Sequence, residues 1–167
     1  MPESFIYTTI DDPRAKVLND ALLQEYDHRY GTFFDPRGAI AEMERYPASD
    51  FFPNQGNFVL LIRDNIVIGG GGFKFYNEQS AEFKRIWTSP NHRRQGLAAK
   101  ILQELEKQAA RQGYQRVYLT TGCRQPEAVN LYLKHGYHHL FDLNEDLEAL
   151  KKLPFEKDIS MLANAAS

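Results

Sequence analysis

Residues 82–98, Glu-Phe-Lys-Arg-Ile-Trp-Thr-Ser-Pro-Asn-His-Arg-Arg-Gln-Gly-Leu-Ala, constrain this chain more than any other stretch. A strand signal ends at Thr88, a proline turn follows, and an arginine-rich loop with one glycine opens onto a long amphipathic segment. Leu97, Ala98, Ile101, Leu102, Leu105 and Ala109 fall at helical spacing, and Gly113 sits where a left-handed C-cap belongs. A helix is therefore predicted from residue 97 to about Gln112. The first turn of any helix has N–H groups without intrahelical partners and about half a unit of positive charge. Gly96 removes the side chain that would hold an anion off those donors, and Arg93 and Arg94 add guanidinium forks suited to phosphate oxygens. Two readings of the segment stand: an ordinary strand–turn–helix with a basic loop, or a cradle for a diphosphate. It is not an ATP-type loop, because Gly-x-x-x-x-Gly-Lys-Ser/Thr is absent. The first glycine and the spaced acidic partner of a dinucleotide fold are missing too.

The rest of the chain supplies an α/β frame. Ser4–Ile10 alternates as a strand, and Asp11-Asp12-Pro13 opens a helix running from Ala15 to about Arg29, with Gly31 to stop it. A short helix is predicted over Arg37–Tyr46 and a loop over Pro47–Gly56. Asn57–Arg63 is a nearly continuous apolar strand, and Asp64-Asn65 suits a two-residue hairpin turn. The return strand runs from Ile66 through Gly69-Gly70-Gly71-Gly72 to Tyr76. Four consecutive glycines mark either a bulged, flexible stretch or a place where something approaches the backbone closely. After a turn at Asn77–Ser80 come strands at Ala81–Thr88 and, beyond the long helix, Arg116–Thr121. A helix from Gln125-Pro126-Glu127 ends at Gly136, strands are predicted at Tyr137–Phe141 and Phe155–Met161, and a short helix at Leu143–Leu153. That order of elements implies a mixed sheet flanked by helices.

Composition bounds the rest. A chain of 167 residues without a linker or repeat is expected to be one domain over 1–167. With 20 Lys plus Arg against 22 Asp plus Glu, it lacks the basic footprint of a nucleic-acid binder. The lone Cys123 cannot close an internal disulfide, which suits a reducing compartment. No apolar run approaches the ~20 residues of a membrane span, and the first residues lack a signal peptide's basic flank and apolar core. The expectation is a cytoplasmic protein with no membrane or nucleic-acid partner.

Arg93-x-x-Gly96-x-Ala98 resembles the Arg/Gln-x-x-Gly-x-Gly/Ala signature of the GNAT superfamily of acyl-CoA-dependent N-acyltransferases. Further on, Glu127-Ala-Val-Asn130-Leu-Tyr132-Leu-Lys-His-Gly136-Tyr137 resembles that superfamily's second block, a helix carrying Asn-x-Tyr and ending in Gly-Phe or Gly-Tyr. The resemblance spans about Asn57–Phe141 and departs from the family at the Leu143–Leu153 insertion. It implies a GNAT fold in which two parallel strands splay apart and the pantetheine arm of acetyl-CoA lies in the gap. Ile86, Trp87 and Thr88 of a bulged fourth strand would then bond that arm. The segment Arg93, Arg94, Gln95, Gly96, Leu97 and Ala98 would hold the pyrophosphate, and Asn130 would bond the pantetheine or its phosphate end.

The reaction implied is attack of a neutral amine on a thioester, and its acceptor a small-molecule primary amine. A free alkylamine has a pKa near 10, so a group must accept its proton. The resemblance gives that role to Glu82; its other reading is a solvated strand carboxylate paired with Lys84 or Arg85. Tyr132 matches the family's usual proton donor to the departing thiolate. Reference pKa values of ~8.5 for a thiol and ~10 for tyrosine make full transfer uphill by roughly 2 kcal/mol. Tyr26, Tyr30, Phe33 and Phe34 fall where the family places its acceptor lid, and aromatic faces there would favour a cationic or aromatic amine; ordinary packing explains them equally. His135, His138 and His139 do not make a metal site, since neighbours on a strand point to opposite faces, and no metal is expected. Two other functions remain open: an idle acyl-CoA sensor, and an acetyltransferase for protein N-termini or lysines. Exposed edges of such sheets often pair, so a homodimer is an open option.

Overall fold

The computed structural model describes residues 3–162; the remaining ends of the 1–167 domain expectation lie outside the described residues. Seven strands form one sheet: β1 (Glu3–Thr8), β2 (Asn57–Arg63), β3 (Ile66–Phe75), β4 (Ser80–Thr88), β5 (Arg116–Gly122), β6 (His138–His139) and β7 (Lys152–Asp158). Among the described residues five α-helices accompany them: α1 (Lys16–Tyr30), α2 (Ile40–Glu44), α3 (Leu97–Arg111), α4 (Pro126–Lys134) and α5 (Leu147–Leu150). The strand order is β1-β2-β3-β4-β5-β7-β6, with every pairing antiparallel except β4–β5. This is the mixed α/β sheet the sequence predicts.

Two apolar layers cover the sheet. Val59, Leu61, Phe73 and Phe83 pack with Ile101, Leu102 and Leu105 of α3 on one face. Phe58, Leu60 and Trp87 pack with Leu18 and Leu22 of α1 on the other. Strand β2 is buried on both sides, which is why its apolar run does not alternate. Asp64 and Asn65 turn the hairpin with φ of 52° and 66°, a conformation short polar side chains tolerate.

The four glycines of β3 answer to close approach. A Cβ on Gly70 would lie 2.6 Å from the Val59 carbonyl oxygen and 2.8 Å from Leu18. One on Gly69 would lie 2.6 Å from Ile101 of α3. Successive residues face opposite sides of a sheet, so the run lets α1 and α3 both settle on the same strand.

Several boundaries differ from expectation. The Tyr137–Phe141 strand shrinks to two residues, because β6 is a sheet edge paired only with β7. Tyr137 instead turns inward and donates a 2.7 Å hydrogen bond to Glu106, a buried carboxylate of α3 that also meets Lys157 at 3.0 Å. The Leu143–Leu153 helix contracts to α5, and β7 begins at Lys152 and ends at Asp158, ahead of the predicted Phe155–Met161. The Arg37–Tyr46 helix contracts to Ile40–Glu44, and the Pro47–Gly56 loop contains a 3-10 turn at Ala48–Phe51.

Candidate active site

The parallel strands β4 and β5 pair only at Ser80–Arg116, Ala81–Val117 and Glu82–Tyr118. Beyond Glu82 they separate, leaving the β5-facing edge of residues 83–88 without a strand partner. Strand β4 also carries a bulge. Between its pairings with Gly70 and Gly72 of β3, it advances three residues, Trp87 to Lys84, against two. Arg85 takes φ of 63° there, a left-handed conformation costing about 1–2 kcal/mol. Its guanidinium holds it in place by donating to Asn19 Oδ1 at 2.9 Å and to the Met43 carbonyl at 2.7 Å. Burial pulls the Arg85 pKa below its ordinary value. The bulge turns two consecutive side chains, Lys84 and Arg85, toward α1 and α2.

A cavity of about 710 Å³ fills the split. Lys84, Arg85 and Ile86 form one wall and Thr120–Gly122 the other; Tyr26, Tyr30 and Phe34 close one side, α2 another, and Tyr132 of α4 and Lys152 complete it. Tyr132 is 8% exposed, with its ring 5.6 Å from Tyr137 and 5.5 Å from Phe155. Burial pushes its hydroxyl up to about 12. Tyr26 is raised as well, by burial first and then by the charge of Glu42, with Tyr132 and Glu25 adding to it.

At the far end of β4, a 3-10 turn at Pro90–His92 leads into the loop before α3. Arg94 and Gly96 both take positive φ, 66° and 75°, and Gly96 caps the helix. No protein atom lies within 4 Å of where a Gly96 Cβ would stand. The loop thus presents the free N–H groups of the first turn of α3 to open space, the geometry an anion needs. Arg94 is exposed and Arg93 reaches Glu25 at 3.8 Å. The Gln95 side chain accepts from Arg63 at 3.0 Å through its Oε1. Leu97 is buried in the core and Ala98 half-buried beside it.

Of the other residues picked from sequence, Ile86, Tyr132, Tyr26, Tyr30 and Phe34 all line the cavity. Trp87 is buried against α1, Thr88 ends β4, and Asn130 is exposed on α4. Phe33 and Glu82 are not among the residues that line the cavity. Phe33 is stacked under Arg124 at 4.3 Å and Lys151 at 5.1 Å. The Glu82 carboxylate stands 3.6 Å from both Lys74 and Lys84, one step along the same face of β4 from Lys84. Three carboxylates line the cavity, Asp35, Glu42 and Glu44; Asp35 and Glu44 face Arg37 at 3.6 and 3.8 Å, and Glu42 of α2 stands 3.5 Å from Lys84, 3.9 Å from Lys152 and 3.6 Å from Arg45. Sequence reading missed Glu42, Arg85 and Lys152. Only Arg85 stood within a quoted motif, and nothing local marks a partnership among residues 42, 84 and 152.

A split sheet with an anion loop at one end suits a long thioester whose phosphates and reactive carbonyl lie far apart, the ligand of acyl-CoA-dependent transferases. Residues 19–137 match the family model described as the Acetyltransferase (GNAT) family. The chain belongs to that family. Among curated relatives, the uncharacterized N-acetyltransferase YsnE of Bacillus subtilis is 33% identical over 75 residues, 44% of this chain and 50% of that protein. The chain thus spans half the length of that relative. IAA acetyltransferase of Azospirillum brasilense is 26% identical over 113 residues, 59% of this chain and 73% of that protein. The fold is similar to PaiA N-acetyltransferase from Thermoplasma acidophilum, solved in complex with coenzyme A, at 16% identity and TM-score 0.70 over 95% of this chain and 99% of that one. It is also similar to aminoglycoside 6'-acetyltransferase type Ii, at 19% identity and TM-score 0.62 over 92% and 97%.

Proposed function

We propose that the protein transfers the acetyl group of acetyl-CoA to the primary amine of a small molecule by direct attack, with no acyl-enzyme stage. The observation that carries this reading is the separation of β4 from β5 after Glu82, with a cavity between them and an anion loop at its end. Backbone donors of residues 93–98 and the side chains of Arg93, Arg94 and Asn130 hold the phosphate end, and the free edge of Ile86, Trp87 and Thr88 takes the pantetheine arm. Two of the similar proteins are named for small acceptors, IAA and an aminoglycoside, which supports an acceptor of that size.

Amine attack on a thioester needs one group to accept a proton and one to donate. Tyr132 stands in the cavity wall as the donor. For the acceptor, the cavity-facing Glu42 replaces Glu82, whose part becomes positioning Lys84. Direct attack is favoured over a thiol-borne acyl group because burial, with Glu148 beside it, pushes the Cys123 thiol up to about 11, and Cys123 lies outside the cavity wall.

The test is acetyl-CoA-dependent thiol release across amines, polyamines, amino acids and peptides, read beside acetyl-CoA affinity by calorimetry. Turnover of a small amine is the expected result. Binding without turnover on any acceptor would favour the sensor reading, and turnover of peptides alone would move the acceptor to proteins.

A further inference from the structure

The acceptor end of the cavity carries more positive charge than its own carboxylates neutralise. Glu42 faces three cations, Lys84, Lys152 and Arg45, and Glu82 faces Lys84 again and Lys74. The cavity wall as a whole sets five cations, Arg37, Arg45, Lys84, Arg85 and Lys152, against three carboxylates, Asp35, Glu42 and Glu44, and the Arg85 guanidinium donates only to neutral acceptors. The Lys84 side of the group is sheltered, with the Lys74, Lys84 and Glu82 side chains 16%, 12% and 10% exposed, while Lys152 and Glu42 are more open at 39% and 36%. None of these ion pairs closes to within 3.4 Å, so the lysine and glutamate heads attract one another without direct hydrogen bonds. Surplus charge held out of water is costly unless an opposite charge joins it. Burial, together with Arg45 and Lys84, pulls the Lys152 ammonium below its usual range against the pull of Glu42.

The anion that answers this surplus is not the phosphate end of acetyl-CoA. Lys84 precedes Thr88 by four residues, about 13 Å along the strand, and the anion loop lies beyond Thr88. Nor does the cavity suit a polyamine. Three of the four rings expected to greet a cationic acceptor already hold the protein's own cations, Arg124 at 5.8 Å from Tyr30 and 4.3 Å from Phe33 and Lys152 at 5.7 Å from Phe34, and Tyr46 in the cavity wall holds Lys74 and Lys84 at 4.9 and 4.8 Å.

We infer that the acceptor is an amine that also carries a carboxylate, of amino-acid size, with the carboxylate held by Lys84 and Lys152 and the amine against Glu42. One carboxylate wedged between two ammonium groups matches a zwitterion head to head: its negative end meets the lysines and its positive end meets Glu42. This rests on the transfer reading above, with Glu42 taking the proton the amine releases.

The experiment compares matched triplets by thiol release: leucine, leucinamide and isoamylamine; phenylalanine, phenylalaninamide and phenethylamine. The acid is expected to exceed its amide and its amine in kcat/KM by about 30-fold or more, the scale of losing one end of a charge-assisted contact. Lys84→Met and Lys152→Met should collapse that ratio to near unity, chiefly through KM, and Lys152→Glu should invert it. Acetyl-CoA affinity of each variant, by calorimetry, reports that it is folded. Equal or better use of the amide or the amine, or a preference for the acid that survives both methionine variants, overturns the inference and leaves the acetyltransferase reading standing. Failure of all six compounds beside turnover of polyamines or peptides likewise overturns it. Failure of every amine, with acetyl-CoA still bound, overturns the transfer reading and this inference together.

Discussion

Tyr132 shows how burial sets what one residue can do. With its hydroxyl pushed up to about 12, handing a proton outright to a thiolate of pKa ~8.5 would be uphill by about 5 kcal/mol, more than twice the gap for an exposed tyrosine. Its contribution is therefore a hydrogen bond that strengthens as charge builds on sulfur, with the proton following late. Tyr132→Phe is expected to lower kcat by about 10- to 100-fold while acetyl-CoA affinity moves by less than about 3-fold. Turnover at the wild-type rate would return Tyr132 to its packing role against Tyr137 and Phe155. The two carboxylates separate by the same logic. Glu42→Gln should lower kcat by about 100-fold or more, because the proton the amine releases then loses the carboxylate that accepts it. Glu82→Gln should act mainly on KM through a loosened Lys84, and steady-state profiles of both variants decide between them.

The elements were legible wherever periodicity was strong, and the site was legible wherever function sits in the backbone. The stripe on α3, the burial of β2 on both faces and the Asp64-Asn65 turn all follow from local pattern. Strand β6 did not, because an edge strand's extent depends on what β7 gives it to pair with. Nor did the bulge at Arg85, whose left-handed φ is held by contacts to residues 19 and 43 that no local pattern shows. The same holds for the cation group: Glu42, Lys84 and Lys152 come from three distant segments, and only the folded sheet brings them together. The start of α3 is the element whose function the sequence states most directly. Gly96 has φ of 75° and open space where a Cβ would go, so a side chain fits sterically but must accept the strained backbone. Gly96→Glu sets a carboxylate among the first-turn N–H groups and should weaken acetyl-CoA binding by about 100-fold or more, ~3 kcal/mol. Gly96→Asn bears a neutral side chain that tolerates the same φ and should lose far less. Calorimetry showing equal losses for the two would mean that backbone strain, and not anion repulsion, is what the glycine avoids.

At the scale of the whole molecule, charged contacts tie segments that are remote in sequence, and they set the pH range of the fold. Glu3 joins β1 to Lys100 of α3 and to Arg63 of β2, and those hydrogen bonds, Lys100 first, hold its carboxyl below the ordinary range. Asp12 is lowered by Arg14 and Thr8 at the entry to α1, and Glu148 by Cys123 and Arg124 beside α5. A carboxyl whose folded pKa lies below its unfolded one stabilises the fold fully above the unfolded value and loses that contribution as pH falls toward the folded one. The tyrosines act at the other end. Burial raises Tyr30, Tyr118 and Tyr132 to about 12 from an ordinary value of 10.0, so their contribution is complete below pH 10.0 and disappears as pH rises from there toward 12. Urea midpoints measured from pH 3 to 11 should therefore form a plateau that breaks below about pH 4.5 and again above about pH 10. Glu3→Gln should flatten part of the acid break while lowering the plateau, since the glutamine cannot hold Lys100 and Arg63 as the carboxylate does. An acid break of unchanged size in that variant would show that the tie between β1, β2 and α3 does not govern acid stability, and would shift the weight to Asp12 and Glu148.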